Sequence, residues 1–183
     1  MKQERTALVL GASGGVGGEV ARALVARGWR VNALNRNPAR APAIAGVNWI
    51  AGDAMESADV MAAAAGVQVI VHAVNPPAYR HWDKVVLPMI DNTIAAARAV
   101  GARILLPGTV YNYGSGTPQP LTEATPHRPS TRKGAIRVEM ESRLRTGRPK
   151  ACVRWWCGPA ISSVHARWST TGSRRDWSRP DSR

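Results

Sequence analysis

The chain of 183 residues contains no phenylalanine, only two cysteines and three tyrosines, and no apolar run that approaches the length of a membrane span. A helix needs about 20 consecutive apolar residues to cross a bilayer, so we expect neither a membrane-spanning segment nor a membrane partner. Met1–Arg5 leads directly into an apolar stretch of strand length, unlike a secretory signal peptide. The expected location is therefore the cytoplasm.

The two cysteines, Cys152 and Cys157, lie near the C-terminal end, and His165 follows eight residues after the second. Two thiols and one imidazole do not complete a zinc site, and a cytoplasmic location disfavours a disulfide. We therefore expect two reduced thiols and no metal site.

Acidic residues are scarce, with 12 Asp and Glu against 25 Lys and Arg, which gives a net charge of +13. The excess is uneven: residues 1–142 carry 15 basic against 10 acidic side chains, and residues 143–183 carry 10 against two. A basic end attracts any polyanion without sequence preference, so the charge alone does not predict a nucleic-acid partner.

The stretch from Thr6 to Asn37 organises the rest of the chain. An apolar run of strand length precedes three glycines spaced three apart, and a helical pattern of apolar residues follows them. Gly11 permits a tight turn, Gly14 lets the backbone approach a pyrophosphate, and Gly17 lets the helix pack closely on the strand. These features predict a dinucleotide site at the helix N-terminus, where free N–H groups and the dipole favour negative charge.

A bare flexible turn is the alternative interpretation of these glycines. Strand, loop, helix and a second strand, Trp29–Leu34, nevertheless occur where a dinucleotide site needs them, which favours the site. The residues predicted to hold the pyrophosphate are Gly11, Ser13, Gly14, Gly15, Val16 and Gly17.

Asn35 and Arg36 close the second strand, where the ribose of the adenosine is recognised. An acidic residue there would bind the 2′-hydroxyl of NAD, whereas Asn35 is neutral and Arg36 can pair with a 2′-phosphate. The sequence therefore favours NADP, with NAD as the second choice. The alternative for Arg36 is a solvated side chain in the turn before Pro38.

Strand-like and helical patterns alternate through the rest of the chain, and the strands are almost wholly apolar. Strands are predicted at Val47–Ile50, Val67–Val74, Arg103–Leu106 and, as a possible sixth, from Lys150 to Val153, and helices at Ser57–Ala65 and Lys84–Val100. Such alternation predicts an α/β fold, a doubly wound parallel sheet of the Rossmann-like kind. We assign residues 1–153 to one NAD(P)-binding domain and residues 154–183 to an irregular basic tail.

Over residues 5 to 150 the chain resembles the extended and atypical short-chain dehydrogenase/reductase superfamily, in particular proteins described as NAD-dependent epimerase/dehydratase-like. The resemblance rests on short motifs in the same order: Gly11–Gly17, Asn35–Pro38, Gly52–Asp53, His72–Val74, Val110–Tyr111 and a helix spanning Lys133 to Glu141. It implies an NAD(P)-binding protein related to nucleotide-sugar epimerases, dehydratases and NADPH-dependent reductases. A non-catalytic dinucleotide-binding regulator or an inactive remnant is the alternative.

The resemblance also implies positions along the cofactor. Asp53, with Ala54 beside it, would bind the adenine amino group, although Asp53 is equally placed to cap the helix that begins near Glu56. The backbone of Ala73 and Val74 would pass beneath the nicotinamide ribose. His72 is expected to be a packing residue at the strand end rather than a catalyst.

The resembled enzymes use a Ser or Thr after the fifth strand and a Tyr-x-x-x-Lys pair on the next helix, and this chain lacks that pair. The tyrosine exchanges a proton while hydride moves, and the lysine lowers its pKa. Thr109 is an approximate substitute for the first residue, and Tyr111 lies beside it. Aligning on Glu141 places Lys133 and Arg137 in the tyrosine and lysine positions. A solvated helix face is the alternative for these two cations.

Tyr79, His81 and Trp82, which follow Pro76-Pro77, are predicted to line a pocket for a small-molecule substrate of unidentified class. Missing catalytic groups lead us to expect cofactor binding with poor turnover.

The last 30 residues hold four of the seven tryptophans and six arginines, without helical or alternating periodicity. We expect disorder from about residue 160, and we interpret the segment as translated out of the ancestral frame or as the end of a truncated gene. The alternative is an RNA-binding tail in which Trp stacks on bases and Arg contacts phosphates.

Overall fold

The computed structural model describes residues 5–76, 82–117, 120–122, 124–147 and 152–155, the last four and Asp83 by their backbone alone. The predictions for Tyr79, His81, Cys157, His165 and the segment beyond residue 155 therefore lie outside the described residues.

Six parallel strands form one sheet in the order β3-β2-β1-β4-β5-β6. The strands are β1 (Thr6–Leu10), β2 (Arg30–Asn35), β3 (Val47–Ala51), β4 (Val69–His72), β5 (Arg103–Pro107) and β6 (Cys152–Trp155). The predicted doubly wound parallel sheet is confirmed, including a sixth strand close to its expected place.

In the part of the chain that the structure describes, four α-helices connect or follow the strands: α1 (Gly15–Ala26), α2 (Ser57–Ala63), α3 (Trp82–Val100) and α4 (Arg132–Thr146). Short 3-10 turns occur at Pro38–Arg40 and Val110–Asn112. None of the helices in the described part of the chain has the length and apolar character needed to span a bilayer.

Apolar side chains cover both faces of the sheet, as the continuous apolar strands require. On one face, strand residues such as Leu8 and Ile104 pack against α2, α3 and α4. On the other face, neighbouring residues such as Val9 and Val71 pack against α1. Because side chains alternate along a strand, consecutive residues of β1 enter opposite layers.

The sheet order reverses at β1, which pairs with β2 on one side and with β4 on the other. Successive crossovers leave in opposite directions at this point, so the carboxyl ends of β1 and β4 border a crevice. In open α/β sheets, ligands bind in such crevices. The fold thus places Gly11, after β1, next to Ala73, after β4.

Candidate functional site

The turn after β1 is built so that only glycine fits at two positions. Gly11 has a φ of +88°, and a Cβ there would lie 2.5 Å from the carbonyl oxygen of Ala73. A Cβ on Gly17 would collide with the carbonyl oxygen of Gly11. The first glycine therefore brings the turn against the backbone of Ala73 and Val74, and the second seats α1 on the turn, as the spacing predicted.

Open space borders the start of α1. Gly14 occupies the N-cap without any side-chain hydrogen bond, and a Cβ on Gly15 would meet nothing within 4 Å. The first helical backbone bond is donated by Gly18 to the Gly14 carbonyl, at 2.8 Å. The N–H groups of Gly15, Val16 and Gly17 consequently precede the helical ladder and face no intrahelical acceptor.

This exposed, uncapped helix terminus fits the pyrophosphate of a dinucleotide. Ser13, Gly14 and Gly15 are all exposed, and no acidic residue occupies the first turn of α1. Free N–H groups and the positive end of the helix dipole stabilise an anion there, and the missing Cβ atoms leave room for its oxygens.

The end of β2 carries the two residues predicted to select the cofactor. The side-chain oxygen of Asn35 accepts a hydrogen bond from the backbone N–H of Asn37, at 2.8 Å, which shapes the turn. Arg36 is exposed beside it. Its role towards a ribose phosphate stays a prediction, and a solvated arginine in the turn remains the alternative.

Asp53 does not cap α2, so that alternative is wrong. The N-cap is Glu56, which makes no side-chain cap bond. Asp53 instead accepts from the N–H of Met55 at 3.0 Å and donates its own N–H to Asp59 at 2.8 Å. The short side chain closes its own turn two residues on, which competes with capping a helix further along the chain.

The loop that contains Asp53 and Ala54 is also tied to α3. The side-chain amide of Asn92 donates to the carbonyl oxygens of Ala54, at 3.0 Å, and Met55, at 2.9 Å. This double contact holds the predicted adenine side of the site against the sheet edge.

His72 ends β4 as a buried residue, as predicted, but it also borders a cavity. Its Nδ1 lies 2.8 Å from the Thr93 hydroxyl, which itself donates to the carbonyl of Met89 at 3.0 Å. Because the hydroxyl proton is already used, Nδ1 must donate and Nε2 keeps its lone pair. Burial, followed by the nearby charge of Arg137, lowers the pKa of His72 to about 3, so the ring is neutral at pH 7.

A cavity of about 180 Å³ lies at the carboxyl ends of β4 and β5. Apolar groups from the start of α1, the loop after β4, the end of β5, α3 and α4 form most of its wall. The polar wall residues are His72, Asn75, Thr109, Tyr111 and Arg137. Of the residues predicted for the site, Val16, Ala73, Val74, Thr109 and Tyr111 meet around it. The crevice therefore brings the helix terminus of α1 and the end of β5 to one place.

Trp82 lines the same cavity, in agreement with the sequence prediction for the segment after the two prolines. Its indole Nε1 donates to the side-chain oxygen of Asn75 at 2.5 Å. The contact joins the start of α3 to the end of β4 and closes one wall.

The 3-10 turn after β5 holds Thr109 and Tyr111. The hydroxyl oxygen of Thr109 accepts from the backbone N–H of Tyr111 at 3.3 Å. Tyr111 remains 48% exposed although it borders the cavity. The phenol of Tyr111 therefore lies at the rim of the cavity. It is carried by a turn, whereas the tyrosine of the resembled enzymes is carried by a helix.

The structure separates the two cations predicted on α4. Lys133 is exposed and does not belong to the cavity lining, whereas Arg137 does. A Cβ on Gly134 would collide with the carbonyl of Tyr111, so its absence lets α4 approach the turn. Arg137, one helical turn later, lies on the same face and donates to the carbonyl of Pro107.

A buried polar cluster behind the turn was not anticipated from the sequence. The Asn112 side-chain amide donates to the Glu141 carboxylate at 2.6 Å, and His127 lies 4.0 Å from the other carboxylate oxygen. Glu141 falls seven residues after Gly134, so the two share a helix face, and this spacing was the available signal. The cluster anchors the turn that carries Tyr111.

Solved structures with the same fold include three that bear on the site. WbmG from Bordetella bronchiseptica, in complex with NAD and UDP, has 19% identity, a TM-score of 0.69 and coverage of 84% of this chain and 52% of that chain. A short-chain dehydrogenase/reductase superfamily protein from Agrobacterium tumefaciens with bound NAD has 22% identity and a TM-score of 0.67. The match covers 83% of this chain and 48% of that chain. A UDP-galactose 4-epimerase has 20% identity and a TM-score of 0.66, and the match covers 81% of this chain and 54% of that chain.

The TM-scores, 0.66 to 0.69, show a shared fold, and the chain spans about half the length of the three proteins. A comparison with curated proteins gives no match. Residues 11–142 match the model of a family described as NAD(P)H-binding, which covers the glycine turn, the cavity and most of α4. The open helix terminus and this match together show that the chain belongs to the NAD(P)H-binding family.

Proposed function

We propose that the protein is an NADP(H)-dependent relative of the epimerases, dehydratases and reductases that share its fold, acting on a small-molecule substrate in the cytoplasm. The observation that carries the proposal is the continuity between the uncapped N-terminus of α1 and the cavity, because Val16 borders both. A dinucleotide held at the first would direct its reactive end towards the second.

The residues that would hold the cofactor are those of the glycine turn, with Arg36 and Asp53 towards the adenosine and Ala73 and Val74 towards the nicotinamide. When bound, the nicotinamide supplies or accepts a hydride. The chain's own contribution is to bind the pyrophosphate with N–H groups and to shield the cavity with apolar walls.

For the chemistry, we propose Thr109, Tyr111 and Lys133 as the reactive set. Tyr111 borders the cavity with its phenol ring, and Thr109 accepts a hydrogen bond that shapes the turn carrying it. Lys133 is exposed on α4, so its part would be at the mouth rather than inside the cavity.

The preference for NADP is tested at Arg36. A charge-assisted bond from a guanidinium to a phosphate contributes about 1.5–3 kcal/mol, so we expect NADPH to bind roughly ten- to hundred-fold more tightly than NADH. Arg36→Ala should remove that preference in a fluorescence titration. Arg103→Ala, an exposed arginine at the amino end of β5, is the matched control and should retain it. Equal wild-type affinities, or an unchanged preference in Arg36→Ala, would refute the assignment.

A non-catalytic dinucleotide-binding regulator is the second candidate. The observation that favours it is the position of Lys133, because the helix slot of the catalytic tyrosine carries an exposed lysine instead of a phenol. Cofactor binding without turnover on any carbonyl substrate would support this candidate over the first.

A further inference from the structure

Arg137 carries a positive charge into a wall that is otherwise mostly apolar. One terminal nitrogen of its guanidinium donates to the Pro107 carbonyl, and the other lies 3.9 Å from the sulfur of Met140. Its Nε is buried and has no hydrogen-bond partner among the described residues. A guanidinium has five N–H donors in one plane, so the described chain leaves donors of this group unsatisfied at the cavity.

The charge of Arg137 is also poorly balanced. Glu141 is the acidic group that acts on it, but one carboxylate oxygen of Glu141 accepts from Asn112 and the other lies near His127. His72, which also lines the cavity, is neutral at pH 7. Burial disfavours the charged guanidinium more than Glu141 stabilises it, which lowers the pKa of Arg137, and an anion that enters the cavity would offset that cost.

We propose that the cavity binds its substrate through a carboxylate group that pairs with Arg137. The inference rests on the proposed function, since it names the class of substrate taken at the same site. A carboxylate matches the planar guanidinium and accepts two parallel hydrogen bonds from it.

Size and charge favour a small carboxylic acid over a phosphorylated compound. A cavity of about 180 Å³ has room for a few small groups beside the Arg137 guanidinium. Among the described residues that line it, Arg137 is the one cationic side chain. A phosphate monoester with a charge of about −1.5 to −2 at pH 7 would therefore be only partly neutralised.

The test is a titration of the NADPH-saturated protein with oxamate, followed by nicotinamide fluorescence, with calorimetry of the cofactor-free protein alongside. We expect oxamate to bind, and its neutral analogue oxamide and inorganic phosphate to bind at least tenfold more weakly at equal ionic strength. Arg137→Gln should weaken oxamate binding about ten- to hundred-fold, in line with the loss of a charge-assisted pair. Arg145→Gln removes the same charge from an exposed position of α4 and should leave oxamate binding unchanged.

NADPH affinity separates this inference from the proposed function. If NADPH does not bind the wild type, the proposed function fails, and oxamate binding to the cofactor-free protein still tests Arg137. If Arg137→Gln weakens NADPH as much as oxamate, the arginine serves the cofactor and the inference is overturned. If Arg137→Gln does not fold, the inference is tested by the oxamate affinity of Arg137→Lys and by the ratio of oxamate to oxamide affinities in the wild type. Equal binding of acid and amide overturns the inference.

Discussion

Two of the helices that begin at the carboxyl edge of the sheet, α1 and α4, have N-termini built in opposite ways. α1 starts at Gly14 without a side-chain cap, and its first N–H groups face open space. α4 starts at Thr131, whose hydroxyl accepts from the N–H of Gly134 at 3.0 Å. The first end leaves backbone N–H groups without a side-chain acceptor, whereas the chain itself supplies an acceptor at the second.

The two helix N-termini belong to two differently built parts of the candidate site. The part around α1 is made of backbone, so its requirements are the absence of side chains and a turn of defined shape. The part around α4 is made of side chains, and Arg137 reaches the cavity because Gly134 lets the helix approach the turn at Tyr111. Substitutions should therefore affect cofactor binding at one end and substrate chemistry or folding at the other.

The largest expected effect concerns catalysis at the α4 end. General acid–base help contributes about 10²- to 10⁴-fold in rate, so without the helix tyrosine we expect carbonyl reduction to be slower by that order than in relatives that retain it. NADPH binding should remain intact, because the α1 end is complete. NADPH oxidation with aldehydes, ketones and sugar nucleotides, run beside a binding titration, measures both.

Robust turnover that disappears in Thr109→Ala or Lys133→Ala would contradict the prediction that NADPH binds without efficient turnover. It would show that the side chains at the α4 end replace the missing phenol by another route. The same variants should leave the NADPH affinity unchanged, which serves as the control.

The next effect is on cofactor affinity. Gly14→Asp places a carboxylate at the N-cap of α1, where it accepts the free N–H groups and repels a pyrophosphate. We expect NADPH to bind roughly ten- to hundred-fold more weakly, a loss of about 1.4–2.8 kcal/mol, while unfolding stability stays equal or rises slightly. Thr131→Asp makes the matching change on α4. A similar loss of NADPH affinity in that variant would contradict the assigned roles of the two ends.

The third expected effect is a loss of stability at acidic pH, which arises at the cavity through His72. The folded-state pKa of His72, about 3, lies below its ordinary value of 6.5, so its contribution to stability is complete above pH 6.5 and falls as the pH drops towards 3. The loss approaches about 1.4 kcal/mol per pH unit within that window. Urea unfolding at pH 7, 6 and 5 should show this slope in the wild type. His72→Gln should reduce it, and an equal slope in both proteins would assign the acid sensitivity to another group.

The smallest effect concerns the two caps themselves. Thr131→Ala removes the hydroxyl that accepts from Gly134, and we expect it to cost about 1 kcal/mol of unfolding free energy. Thr131→Ser keeps an acceptor and should cost less. Gly14→Ala removes no cap bond, so its thermal unfolding temperature should lie close to that of the wild type. Equal destabilisation by both alanine variants would show that capping does not distinguish the two helices.

The strands and the glycine turn could be predicted because each depends on local chemistry. Continuous apolar runs such as β4 are compatible with a strand buried on both faces, and the spacing of Gly11, Gly14 and Gly17 follows from a turn that meets a helix. The capping role considered for Asp53 failed because its short side chain bonds the nearer N–H of Met55. Local competition of that kind is decided by small differences in backbone geometry.

The sequence by itself determined the parallel α/β fold and the backbone-made end of the site, because periodicity and glycine spacing act over a few residues. Which α4 cation enters the cavity, the burial that keeps His72 neutral and the burial of Glu141 beneath the turn of Tyr111 depend on tertiary contacts. Helix periodicity defines only which residues share a face. The approach of α4 to that turn, made close by Gly134, determines which face is covered, and it depends on contacts between segments distant in sequence.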